Sequence, residues 1–275
     1  MTNAIKAVVF DWAGTMVDFG CCAPVKALQS VFTANGVTTS ESEVRRDMGM
    51  AKRAHIAALL AMPQIESQWS ARFGGLPTSD DVKRLHDAVE PLMVSAAADC
   101  ADLIPGAADV VAMLRARGIK IGSCTGYTRT MIDSILPRAA AQGYAPDAVV
   151  CSGETSEGRP SPLMLWKLLV ELGVWPALAC IKVDDAPVGI FEGRHAGCWT
   201  VGVAASGNGV GLSISDFAAL TPPDREVRMA ASRAALQAAG ADLVIDSVAE
   251  FGAVLAEIEG RIAAGERPSG RTAND

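Results

Sequence analysis

Residues 6–15 read Lys6-Ala7-Val8-Val9-Phe10-Asp11-Trp12-Ala13-Gly14-Thr15. Four apolar residues run without a polar break and stop at a carboxylate. Nearly continuous apolar character suits a strand covered on both faces, as in a parallel sheet. Asp11 then stands at the carboxyl end of that strand, where open α/β sheets bind their ligands. A carboxylate followed by a Gly-bearing turn with free backbone N–H groups suits a phosphoryl electrophile. An aspartate that merely closes a strand-to-loop turn reads the same locally, and these residues alone leave both open.

Further apolar runs lie at 119–124, 148–152, 179–183, 199–203 and 243–245, with helix-like segments at 107–117, 128–142, 162–172, 187–196 and 249–262. This alternation predicts an α/β fold with a doubly wound parallel-sheet, Rossmann-like core. The stretch 20–100 breaks the rhythm. It reads as helices at 24–35, 40–46, 51–61, 65–73 and 78–98, separated by Asn35-Gly36 and by Gly74-Gly75-Leu76-Pro77. We therefore expect an inserted all-helical cap domain at 21–99, a discontinuous core at 1–20 and 100–265, and hinges near Phe19-Gly20 and Leu103–Gly106. Residues 205–228, Gly-rich at Ala205–Gly211 and with a turn or loop at Thr221-Pro222-Pro223-Asp224, read as an excursion before the last helix–strand pair. The polar end, 266–275, reads as a disordered tail.

Half of the 275 residues are apolar, enough for one large core plus a smaller insertion. The net charge is −7 and no run is rich in Lys or Arg, so nucleic acid is a poor partner. The first apolar run is short and ends in a charge, and no other stretch is long enough to cross a bilayer. Neither a membrane segment nor a signal peptide is expected, and the cytoplasm is the expected location. The seven cysteines are odd in number, form no Cys-x-x-Cys pair, and read as reduced core thiols.

Three more strand ends carry polar groups. Thr125-Gly126-Tyr127-Thr128 follows the second core strand, where a hydroxyl and the Gly126 N–H can hold phosphate oxygens; helix capping is the alternative. Arg159, in Gly158-Arg159-Pro160, can offset phosphoryl charge or be a solvated loop charge. Asp184-Asp185 closes Ile181-Lys182-Val183. Two acids at one strand end, opposite a third, repel unless a cation intervenes, which points to magnesium; capping of the Pro187 helix can account for one of the pair.

Carboxylate, hydroxyl, cation and carboxylate, in that order, resemble the four motifs of the haloacid dehalogenase superfamily over about 1–20 and 100–205. Two positions depart. Many phosphatases of the superfamily carry Asp-x-Asp-x-Thr, the second Asp being the general acid, whereas Ala13 stands here. The common Gly-Asp-x-x-x-Asp appears as Asp184-Asp185-Ala186-Pro187-Val188-Gly189. Within the superfamily the chain is similar to the phosphonoacetaldehyde hydrolase family. The similarity is carried by Val9–Thr15, by Met48-Gly49-Met50-Ala51-Lys52-Arg53-Ala54-His55-Ile56, by Thr125-Gly126-Tyr127, by Gly158-Arg159-Pro160 and by Glu192–Gly202.

The resemblance implies a mechanism. Lys52, by itself a surface lysine, becomes an imine former, and the protonated imine draws electrons from the breaking C–P bond, so that no acid is needed at position 13. Asp11 becomes the nucleophile and passes through an aspartyl-phosphate. Mg2+ is held by Asp11, Asp185 and the Ala13 carbonyl, with Asp184 a weaker candidate. His55, three residues from Lys52, shuttles protons. Met48, Cys21 and Tyr127 line the site, although otherwise they are apolar filling and a helix-entry thiol. Lys52 must be neutral to attack, so burial or a cation such as Arg53 should lower its pKa. A small-molecule phosphonate is the implied partner, and a homodimer through the caps the implied assembly. Two alternatives stand: a capped phosphatase or phosphomutase of the same superfamily, which an Asp at 13 would favour, and a non-catalytic phosphate-binding protein, which loss of Asp11, Thr125 or Arg159 would favour.

Overall fold

The computed structural model describes residues 4–268. Six strands form one parallel sheet: β1 (Ala7–Phe10), β2 (Lys120–Thr125), β3 (Ala148–Cys151), β4 (Cys180–Asp184), β5 (Trp199–Val203) and β6 (Leu243–Ile245). Their order is β3-β2-β1-β4-β5-β6, so β1 lies centrally between β2 and β4. The chain leaves β1 in one direction along the sheet and later returns in the other, which opens a crevice at the carboxyl ends of β1 and β4.

The strands alternate sides as their period of two requires. Val8 and Phe10 face a core shared with Leu114, Ile132, Phe251 and Leu255. Ala7 and Val9 face Leu165, Leu168 and Cys198. The covering helices are α6 (Ala107–Ala116), α7 (Arg129–Ala141), α8 (Leu163–Leu172), α9 (Pro187–Ala196) and α12 (Phe251–Ala263), within two residues of the expected bounds.

Between β1 and β2 the chain is all helical: α1 (Cys22–Ala34), α2 (Glu41–Arg46), α3 (Lys52–Leu60), α4 (Pro63–Phe73) and α5 (Ser79–Asp99). α5 is the spine of this layer, packing on α1 and α3, and it also touches α7 of the sheet layer. α2 and α5 begin with capping boxes, Ser40 with Glu43 and Thr78 with Asp81, in which side chain and backbone satisfy each other's donors.

One stretch differs from expectation. Residues 205–228 are not all loop: α10 (Ile214–Ala219) and α11 (Pro222–Ala238) lie there. Thr221 accepts from the Asp224 N–H, and the two prolines occupy the first helical turn. Proline is tolerated there because first-turn N–H groups have no partner inside the helix. The tail expected at 266–275 lies mostly outside the described residues. No described helix is long and apolar enough to cross a membrane, and all seven cysteines are unpaired.

Candidate active site

The parallel sheet delivers three polar side chains to one edge. Asp11 follows β1, its N–H held by the Val183 carbonyl at 3.0 Å, Thr125 ends β2, and Asp184 ends β4. The loop after β3 swings Arg159 in beside them. Its guanidinium donates to Asp11 Oδ1 at 2.9 Å, to Glu192 Oε2 at 3.0 Å and to the Cys124 carbonyl. Arg159 is only 6% exposed, which removes the solvated-loop alternative. Thr125 Oγ1 accepts from the Tyr127 N–H at 3.1 Å, so its own proton is left for a ligand. Thr128, not Thr125, stands at the N-cap of α7.

The adjacent acids separate. Asp184 Oδ1 accepts from the Ala186 N–H, while Oδ2 lies 3.0 Å from Lys182 Nζ and 3.4 Å from Arg159 Nη1. Asp184 thus ties the turn before α9 and balances buried cations. Among the described residues Asp185 has no cation partner. It accepts from the Asn208 N–H at 2.8 Å, Thr15 Oγ1 at 3.3 Å and Cys21 Sγ at 3.5 Å. Burial, then Asp184 and Asp11, push its pKa up to about 8, and burial raises that of Asp11 against the pull of Arg159.

Ligand oxygens of Asp11, Asp184 and Asp185 lie within 4.8 Å of one another. Glu192 is a fourth buried carboxylate here, and Arg159 and Lys182 are buried beside it. The all-oxygen donor set of three converging carboxylates fits a hard divalent cation.

The helical layer supplies the other wall. The bend 48–51 presses on the core: a Cβ at Gly49, where φ is +91°, would meet Val188 Cγ1 at 2.7 Å, and the Gly49 carbonyl faces Gly126. This bend sets Lys52 at the first turn of α3, 7% exposed, with Nζ 3.7 Å from Met48 Sδ. Burial lowers its pKa to about 8, with Cys21 and Asp11 opposing. Arg53 is exposed and takes no part in that shift. Asp11, Ala13, Cys21, Met48, Lys52, Thr125, Gly126, Tyr127, Arg159 and Asp185 all line one cleft. His55 and Asp184 do not line it. The His55 ring is fully buried on α3, Nε2 at 2.8 Å from the Val44 carbonyl and Nδ1 without a partner.

Comparison with known proteins identifies the family and the fold. Residues 5–197 match the family model described as haloacid dehalogenase-like hydrolase. A phosphonoacetaldehyde hydrolase of Paraburkholderia phytofirmans is 50% identical over 96% of this chain and 99% of its own. One from Syntrophobacter fumaroxidans is 42% identical over 97% of this chain and 96% of its own. The chain belongs to the phosphonoacetaldehyde hydrolase family. A crystal structure of a phosphonoacetaldehyde hydrolase-like protein from Oleispira antarctica superposes with a TM-score of 0.95, at 40% identity and 98% coverage of both chains. A β-phosphoglucomutase from Clostridium difficile, at 17% identity over 94% of this chain and 99% of its own, shares the fold with a TM-score of 0.67.

Against the superfamily pattern, the departure at position 189 now has a steric account. A Cβ at Gly189 would overlap the carboxylate of Asp184. The Asp184 side chain, at the end of β4, fills the space that residue 189 leaves open. This cleft also rests on residues that the sequence reading did not assign to the site, Lys182 and Glu192 fully buried and Asn208 partly so. Glu192 holds Arg159 and lies 3.5 Å from Lys182, Lys182 lies against Asp184, and Asn208 reaches Asp185. Lys182 and Glu192 carried one signal, a charge within an otherwise apolar strand or helix face. Asn208 carried none.

Proposed function

We propose that this protein hydrolyses the carbon–phosphorus bond of phosphonoacetaldehyde, giving acetaldehyde and phosphate. The observation that carries this reading is a single cleft that holds a buried lysine from the helical layer and a carboxylate at the end of β1, with no acid at position 13. The Lys52 amine condenses with the aldehyde, losing water, and the imine nitrogen takes a proton. Asp11 attacks phosphorus as the C–P bond breaks, and the bond's electrons pass through the new carbon–carbon double bond to nitrogen, leaving an enamine. Water cleaves the aspartyl-phosphate. The enamine is protonated at carbon, and a second water releases acetaldehyde and restores Lys52.

Thr125, the Gly126 N–H and Arg159 hold the phosphonate oxygens and keep phosphorus in line with Asp11. Asp11, Asp185 and the Ala13 carbonyl would hold Mg2+, with Asp184 beside them, and the ion supplies positive charge against the phosphoryl oxygens. Met48, Cys21 and Tyr127 wall the cleft and keep Lys52 dry. His55 is assigned the proton traffic around Lys52 through Nδ1, since Nε2 is held by Val44.

The 21–99 layer is read as a cap domain that moves on the segments near Phe19-Gly20 and 103–106, and the protein as a cytoplasmic homodimer joined through its caps. The test is phosphate release from phosphonoacetaldehyde with and without chelator. Activity vanishes with chelator and returns with Mg2+, and Asp11→Asn keeps less than about a hundredth of it with the fold intact. Full activity in excess chelator removes the metal from this account, and a fast Asp11→Asn enzyme removes the nucleophile.

A further inference from the structure

The loop between β5 and α10 contributes nothing to the lining of the cleft, yet it reaches Asp185, the site carboxylate with no cation partner among the described residues. The Asn208 backbone N–H donates to Asp185 Oδ2 at 2.8 Å. Its side chain turns the other way, to α2 of the helical layer. Asn208 Nδ2 donates to the Arg45 carbonyl at 2.8 Å, and Arg45 Nη1 donates back to Asn208 Oδ1 at 3.2 Å. The same Nη1 reaches the Gly20 carbonyl at 2.7 Å, at the crossing between the layers, while Nε and Nη2 hold Glu41. The segment is pinned from behind as well. The Gly20 N–H donates to the Ser206 carbonyl, Ser206 Oγ donates to the Gly14 carbonyl at 2.7 Å, and a Cβ at Gly207 would crowd Asp185.

We propose that Asn208 is a positioning residue that fixes the orientation of Asp185 according to whether the helical layer is docked. The inference rests on the reading of Asp185 as a metal ligand. Its physical basis is geometric. An asparagine side chain is short, and its amide is fixed at both ends by Arg45. A shift of α2 therefore displaces the backbone N–H two bonds from the Cβ, and that N–H is the strongest donor to Asp185. Groups that orient a metal ligand change metal affinity without touching the metal. Docking of the layer that carries Lys52 and preparation of the metal carboxylate become one event. Linkage makes the effect reciprocal, so the ion also favours the docked layer.

The test is Mg2+ titration of the substrate-free protein by calorimetry, with melting temperature measured alongside. Asn208→Ala keeps the backbone N–H and loses only its anchorage, so Mg2+ binding should weaken about tenfold. Arg45→Lys retains the charge, but one ammonium cannot bridge the Gly20 carbonyl and Asn208 Oδ1 while holding Glu41, so it should weaken binding in the same direction. The double variant should be no weaker than Asn208→Ala by more than about twofold, because both changes cut one linkage. If Asn208→Ala does not fold, Arg45→Lys alone decides. Binding within twofold of wild type in the folded single variants, while Asp185→Asn loses it, overturns this inference and leaves the metal reading standing. If wild type and Asp185→Asn bind Mg2+ alike, the metal reading fails and takes this inference with it.

Discussion

In the proposed mechanism Lys52 has two needs that conflict. It would have to be buried to meet a dry aldehyde carbon next to Asp11, and burial is costly for an ammonium. The protein meets both by letting the amine shed its proton, at a pKa of about 8. At pH 7 roughly a tenth of such an amine is neutral, against well under a thousandth at the ordinary value. Trapping by borohydride with acetaldehyde should therefore speed up with pH to about 8 and then level, the added mass mapping to Lys52 and not to Arg53 or Lys26. A flat profile between pH 6 and 9 would show that this amine does not titrate there. Lys52→Met should abolish trapping and yet stabilise the fold by about 1–3 kcal/mol, since it removes a buried ionisable group. Because the folded pKa is depressed, that gain is full below pH 8 and fades as pH rises toward 10.5; thermal melts across this range measure it.

At the scale of elements, the helical layer is held by caps and by one buried ring. Thr78→Ala breaks the box that starts α5 and should cost about 1 kcal/mol in denaturant melts, with kcat unchanged, because that end of α5 is remote from the cleft. His55 joins α3 to α2 through the Val44 carbonyl, and burial pushes its pKa down to about 3. The unfolded chain binds a proton there below about pH 6.5 and the folded chain does not. Stability should therefore fall as pH drops from 6.5 toward 3, and His55→Gln should flatten the part of that slope due to this ring. An unchanged slope would mean that the ring is protonated in the folded state. The element that sequence reading missed, α11, carried a readable signal: Thr221 followed three residues on by Asp224, with prolines where a helix tolerates them. Two prolines in a row read more strongly as a turn, and the packing of Met229 and Leu236 against the sheet layer outweighs that local preference.

For the whole molecule, the cleft exists only because two layers meet, and its chemistry is selective for that reason. A phosphate ester placed against Asp11 finds no proton donor at Ala13 to protonate its leaving alkoxide, at a cost of about two to four orders of magnitude in rate. A panel of sugar phosphates should be turned over slowly, and fast release from any member would favour the phosphatase alternative. Ala13→Asp should not speed phosphonate cleavage, since a fourth acid beside Asp11, Asp184 and Asp185 adds repulsion where the phosphonate must bind.

The sequence by itself determined what depends on near neighbours. An apolar run that stops at a polar residue marks a buried strand and its end, so all six strands and the residues after β1, β2 and β4 were legible from residues a few places apart. Lys52 and Met48 were legible only through the family resemblance, since by themselves they read as a surface lysine and apolar filling. Tertiary structure alone decided the strand order, which sets the ends of β1, β2 and β4 side by side, and the partners that turn Asp184 away from the cleft. It also decided the partners of the buried charges. Glu192 holds Arg159 across 33 positions of chain, and Asn208 meets Arg45 across 163. Burial and charge compensation are set by whatever the fold brings within a few ångströms, and no local pattern of residues encodes that.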